Sequence, residues 1–141
     1  MGWEYDPETD ALLLACKESA GKGYRGFKAV YAISLKTMTL HEDPWLLISL
    51  KEIEKKSGKG KFNPSGIAIH PVSKTIFIIS ADRESIIEMS RNGKLLSQRE
   101  LPRKINSQHE GIAFAPDLSL MICNDGQGRT GTLVRYPLSQ Q

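Results

Sequence analysis

Gly66-Ile67-Ala68-Ile69-His70-Pro71, followed after a short polar turn by Thr75-Ile76-Phe77-Ile78-Ile79-Ser80-Ala81-Asp82, is the clearest copy of a pattern that occurs three times in the chain. Gly2-Trp3-Glu4-Tyr5-Asp6-Pro7 leads in the same way to ALLLACKE, starting at Ala11, and Gly111-Ile112-Ala113-Phe114-Ala115-Pro116 leads to LMICND, starting at Leu120. Each copy has a glycine, alternating residues, and a proline five positions on. Alternation with a period of two marks a strand that presents one face to a core. The segment that follows is rich in β-branched and aromatic residues, which fit a pleated surface. The three glycines are 64 and 45 residues apart. The second spacing is that of a four-stranded propeller blade, about 40–50 residues, and the first is the same unit with longer loops.

Working outward from the middle copy, SIIEMS (from Ser85) reads as a third strand. Arg91-Asn92-Gly93-Lys94 reads as an Asn-Gly hairpin turn in which both central residues take positive φ. KLLSQREL (from Lys94) then reads as a fourth strand. In the first copy KAVYAISL (from Lys28) is the third strand, TMTLHED (from Thr37) a connection, and PWLLISLKEI (from Pro44) the fourth strand. In the last copy TLVRYPL (from Thr132) is the third strand and the fourth is missing. Only SLKEIEKKS (from Ser49) has the composition for a turn or two of helix. The expectation is an all-β chain, a β-propeller of three consecutive blades with about four strands each, the last lacking its fourth, and eleven main strands in total. The blades fall at about 2–53, 64–101 and 109–141 of a single half-propeller domain over 1–141. A β-sandwich has no need of such in-register repetition.

Composition agrees with a soluble domain: 40% hydrophobic and 25% charged residues in 141, with a formal net charge of +3. No apolar run approaches the roughly 18 residues that span a membrane, and MGWEYDPETD at the start is too acidic and polar for a secretory signal. No membrane contact by the chain itself is expected. The lysines of Lys17–Lys28 and Lys51–Lys61 sit among Gly and Ser, which reads as solvated loops. A nucleic-acid face interleaves aromatics with its basic residues, so no nucleic-acid partner is expected. Cys16 and Cys123 lie in apolar segments of different repeats and read as two buried free thiols.

Propeller geometry brings particular residues together. The first strand of each blade lines the central channel, and the segment leading into it shares a face with the segment leaving strand two. That rim collects Lys17 and Glu18 from blade one. Blade two adds Asn63, Ser65, Ser80, Asp82 and Arg83, and blade three adds Gln108, His109, Glu110, Asn124 and Asp125. The expected ligand-binding set is Glu18, Asn63, Ser65, Asp82, His109, Glu110, Asn124 and Asp125. Carboxylate and amide oxygens are the ligands that a hard cation takes, so Ca2+ is expected on Glu18, Glu110 and Asp125, with Glu110 the leading candidate. The competing reading is that these groups cap strand ends. GKGYRG from Gly21 and GQGRTG from Gly126 both spell GxGxxG, but strands follow them, whereas dinucleotide binding needs a helix. There is no HExxH, CxxC pair, Walker loop or GxSxG elbow. No catalytic residue is assigned.

Taken together, WEYDPETDALLLACKE, FNPSGIAIHP, EGIAFAPD and ICNDGQG resemble the C-terminal half of the SdiA-regulated family of bacterial six-bladed propellers. The resemblance covers essentially the whole chain. It implies half of a six-bladed propeller, a role without assigned chemistry, and a periplasmic or cell-envelope setting in which an upstream segment carries the anchor or export signal. The first reading of function is a ligand- or protein-binding scaffold. The alternative is a metal-dependent hydrolase whose rim carboxylates hold a cation that activates water, by analogy with lactonase- and phytase-like propellers. Three blades leave a raw flank at each end, and exposed sheet edges invite pairing. A homodimer that completes a six-bladed ring is therefore the expected assembly.

Overall fold

The computed structural model describes residues 1–104 and 108–138, with the side chain of Arg83 outside the description. It contains three antiparallel sheets. The first holds β1 (Gly2–Asp6), β2 (Ala11–Ala15), β3 (Phe27–Ser34), β4 (Thr39–Leu40) and β5 (Leu46–Ser49). The second runs in chain order through β6 (Pro64–Ile69), β7 (Ile76–Ser80), β8 (Ser85–Met89) and β9 (Leu95–Glu100). The third has β10 (His109–Phe114), β11 (Leu120–Asn124) and β12 (Thr132–Tyr136). One helix, α1 (Leu50–Ser57), and a single 3-10 turn (Ala81–Arg83) complete the described elements. The structure is all-β apart from these, and its sheets are blade-like.

The sheets stack side by side with their first strands innermost: β6 lies between β1 and β10. The repeat glycines explain how the strands come so close. A Cβ built on Gly2 would stand 2.6 Å from Gly66 Cα, so only a residue without a side chain lets β1 and β6 meet there. Two cores fill the wedges. Between blades one and two lie Leu13, Val30, Ile48, Ile67, Ile76, Ile78 and Ile87, closed by Ile53 of α1 and by Phe62. Between blades two and three lie Ala68, Ile79, Ile86, Ile112, Leu120 and Ile122. Ile76 and Ile78 of β7 face one core and Ile79 the other. A strand buried on both sides reads as a continuous apolar run, as IFII does.

The end of the blades away from the expected rim is tied across the junctions. Asp6 of blade one, with no exposed surface, accepts from Arg91 of blade two at 2.7 and 3.3 Å. Arg91 also lies over the Trp45 ring, 5.2 Å from its centroid. Between blades two and three, the rings of His70, Phe77 and Phe114 meet edge to face. His70 and Phe114 are 4.8 Å apart, and Phe77 and Phe114 5.1 Å.

Several local expectations are corrected. Twelve strands are described rather than eleven, because the fourth strand of blade one is split. TMTLHED contributes β4, which pairs with the outer half of β3, and β5 pairs with the inner half. The segment PWLLISLKEI stops being a strand at Ser49, whose hydroxyl accepts from Glu52 N–H at 3.3 Å and caps α1. The Asn-Gly turn has positive φ at Gly93 only, at 91°. Gly93 N–H donates to Ser90 C=O, so the connection is a longer turn ending in one left-handed glycine. Cys16 is half-buried and Cys123 exposed, and both are free. Position 123 faces away from the core because its neighbour Ile122 takes the inward place. No helix among the described residues is long and apolar enough to cross a membrane.

Candidate functional site

Strand parity assembles one rim. Pro64, Ser80, Ser85 and Glu100 are in register at the same end of blade two. In blade three, His109, Asn124 and Thr132 share the equivalent line. The segments that lead into strand one and leave strand two are linked directly. Asn63 N–H donates to Ser80 Oγ at 2.9 Å. Its side-chain amide donates to Asp82, which also stands 3.7 Å from Lys61 Nζ. Ser65 is buried and its hydroxyl lies 3.5 Å from Ile79 O. In blade three, Asp125 N–H donates to Gln108 C=O at 2.9 Å, and Gln108 Nε2 lies 3.5 Å from Glu110 Oε1. Glu110 and Asp125 are both exposed. Asp125 Oδ1 accepts from Gln127 N–H at 2.9 Å, the local turn-capping role weighed for these residues.

His109 is the rim's buried member. It has no exposed surface, and its Nδ1 pairs with Asn124 Oδ1 at 3.3 Å. Its Nε2 finds no hydrogen-bond partner among the described residues. Burial lowers its pKa, against the opposing pull of Asn124, Glu84 and Glu110. Glu18 stands apart: it is exposed, and its described bond is the acceptance of Lys28 Nζ by its backbone carbonyl at 2.9 Å. Lys17 C=O takes the same ammonium at 2.7 Å. The rim thus consists of two linked groups, one per blade, with Glu18 on a third blade. Among the described residues no three His, Cys, Asp or Glu side chains stand close enough to hold a metal ion.

Beside the blade-two group lies a cleft of about 660 Å³, walled by α1 and the rim end of blade two. Lys61, Asp82, Glu84, Gln98, Glu100 and Arg103 line it. Glu84 and Arg103 pair at 3.2 Å. Gln98 Oε1 is buried with no partner among the described residues. Of this lining, only Asp82 was expected. The parity that carries strand-two ends to the rim carries strand-four ends there as well. Applied to KLLSQREL, it singles out Gln98 and Glu100. The contribution of α1 has no such signal. Glu4 of β1 is a further group that the motifs do not indicate. It is half-buried, and burial raises its pKa despite the hydrogen bond from Ile69 N–H.

The fold and this rim define a propeller-type protein. No family model matches the chain, and no curated protein matches its sequence. Solved structures do. A luciferin-regenerating enzyme matches with a TM-score of 0.62 at 16% identity, over 97% of this chain and 44% of its own. Two glucose dehydrogenase structures match with TM-scores of 0.53 and 0.51 at 14% and 15% identity, each over 96% of this chain and 43% of theirs. The chain spans less than half the length of the solved structures it matches. At these identities the likeness shows the fold alone.

Proposed function

We propose that this chain is the ligand-binding half of a propeller of the SdiA-regulated type and that it holds a small polar molecule in the cleft at the rim of blade two. The observation that carries this reading is the carbonyl oxygen of Gln98, buried without a partner among the described residues, in a cleft rich in acceptors. A buried acceptor without a donor costs about 1–3 kcal/mol, which a ligand hydroxyl or amine would recover. Asp82, Glu84 and Glu100 add acceptors, while Lys59, Lys61 and Arg103 balance their charge. The fitting class is therefore an uncharged, hydroxyl-rich compound. The motifs shared with the SdiA-regulated family support a binding role without assigned chemistry, and they carry the proposed envelope setting. The test is a thermal-shift panel of polyols and saccharides against wild type and Gln98→Leu. A compound that stabilises the wild type, and the variant at least tenfold more weakly, supports the reading. A panel without any shift, or equal shifts in both proteins, overturns it.

A divalent cation is the second reading of the same rim, favoured by the exposed carboxylates of Glu110 and Asp125, whose segments are joined through the Asp125 N–H bond to Gln108 C=O. An ion would have to draw these groups together with further oxygens, including Glu18, to reach the six to eight that calcium takes. Calcorimetric titration with CaCl2 on wild type and Glu110→Ala tests it, with loss of the binding heat in the variant as the expected result.

A further inference from the structure

We propose that the outer face of α1 and the loop that follows it form a cationic ridge for the acidic groups of a polysaccharide, one sugar of which enters the cleft at Gln98. This rests on the reading of the cleft as a site for a hydroxyl-rich compound, and extends it to the charge of the groups on either side of that compound. The ridge is an imbalance of charge confined to one internal connection, between β5 and β6. Residues 50–61 hold Lys51, Lys55, Lys56, Lys59 and Lys61 against Glu52 and Glu54, an excess of three cations. That excess equals the formal net charge of the whole chain, so cations and anions balance over all the other residues taken together. All five lysines are exposed. Among the described residues only Lys61 of the five pairs with a carboxylate, that of Asp82 at 3.7 Å.

Helix formation accounts for only part of this set. Lys55 and Lys56 stand in the last turn of α1, where the macrodipole favours a cation. Lys51 stands in the first turn, where the macrodipole disfavours one. Lys59 and Lys61 lie beyond Gly58, whose φ of 71° ends the helix. A face kept only for solubility intersperses both signs. Here neither Glu52 nor Glu54 forms an ion pair with a lysine among the described residues. The ridge runs into the cleft: Ile53 and Ser57 of α1 line it together with Lys59 and Lys61. Lys51 and Lys55 continue along the helix one turn, about 6 Å, apart. The two parts together define the partner. The cleft offers the buried acceptor of Gln98 to a hydroxyl, and the ridge offers exposed ammonium groups, which act as point charges. Residues 50–61 contain no aromatic side chain, whereas single-stranded nucleic acid stacks its bases on aromatics. They expose no large apolar side chain either, whereas a helix that beds into lipid needs an apolar face for it. A polymer of sugars that carry carboxylates or sulfates supplies hydroxyls for the cleft and repeated negative charge for the ridge.

The test is biolayer interferometry of the 141-residue chain against polygalacturonate, heparin and fully methyl-esterified polygalacturonate, which keeps the sugar backbone and loses the charge. At least one of the two acidic polymers is expected to bind roughly tenfold or more tightly than the ester at about 50 mM NaCl. The advantage is expected to vanish at about 500 mM, where the Debye length falls below about 5 Å. One exposed ion pair is worth up to about fivefold. Lys51→Gln/Lys55→Gln/Lys56→Gln, shown to be folded by circular dichroism, should therefore lose the acidic advantage and keep its affinity for the ester. Gln98→Leu should weaken all three ligands. Equal affinity of the wild type for the acidic polymers and the ester overturns the ridge and leaves the cleft reading standing. An acidic advantage that depends on the lysines, with no effect of Gln98→Leu on any ligand, overturns the cleft reading and with it the polysaccharide. Poly-L-glutamate bound as tightly as the acidic polysaccharides overturns the assignment in favour of an acidic polypeptide. Binding of none of these polymers overturns the proposal outright.

Discussion

Arg91→Ala is expected to destabilise the chain by about 2–4 kcal/mol, with most of the effect arising at Asp6. Asp6 is fully buried, and it accepts from Arg91, from Thr9 Oγ1 at 2.6 Å and from Glu8 N–H at 3.2 Å. Burial by itself would raise its pKa. The bonds from Arg91, Thr9 and Glu8 outweigh burial and hold it below the usual carboxylate value. Removing one member of a buried ion pair costs about 3–5 kcal/mol. A value of about 2–3 kcal/mol, at or below the low end of that range, applies here, because the Arg91 side chain is 25% exposed and Thr9 and Glu8 stay on the carboxylate. Loss of the stacking on Trp45 adds about 0.5–1 kcal/mol. The pH dependence follows from the lowered pKa. The clamp's contribution is fully present above the unfolded value of about 3.9 and is lost as pH falls through the lower folded value. Urea denaturation of wild type and variant at neutral pH and at acid pH reads both effects. A difference below about 0.5 kcal/mol at pH 7, or one that does not narrow in acid, would refute the assignment of Asp6 and Arg91 as a buried inter-blade clamp.

Three further outcomes are expected. Because burial depresses the pKa of His109, the unfolded chain binds more protons just below its own value of about 6.5. Stability is therefore whole above that pH and falls as pH drops below it, and His109→Gln should flatten the urea midpoint between pH 7.5 and 5.5. Gly2→Ala should cost more than Gly66→Ala, roughly 1–3 kcal/mol, because its Cβ meets backbone at 2.6 Å whereas that of Gly66 meets isoleucine side chains at 3.0 Å. Equal denaturation midpoints for the two would contradict the close approach of β1 and β6. Phe62→Ala, at a site 1% exposed, should lose about 3–5 kcal/mol by calorimetry, and a loss under about 1 kcal/mol would show that α1 and Phe62 do not close the first core.

The repeat was legible in the sequence because the first two strands of a blade are its most constrained part. Gly66, Gly2 and Gly111 are set by close approach of backbones or neighbouring side chains, and the alternation that follows each is set by the pleat. From these, strand order and the common rim position of Asn63, Asp82, His109 and Asn124 follow by parity, whereas the bonds of Asn63 to Asp82 and of His109 to Asn124 are seen only in the structure. What parity cannot supply is distance around the ring. It places Glu18, Glu110 and Asp125 on one rim, but they sit on blades one and three with blade two between them. The blade assignments follow from the repeat, and the packed wedge adds that, among the described residues, these carboxylates do not come together. The cleft at Gln98 needed α1 to fold back over blade two through Ile53, a contact made by tertiary packing in an otherwise polar segment. The clamp between Asp6 and Arg91 joins residues 85 positions apart and has no local signal. Local pattern is written by the backbone's own period and is visible in one dimension. Burial of a charge and of the His109 Nε2, which has no partner among the described residues, depends on which strands become neighbours, and that is decided when the blades pack.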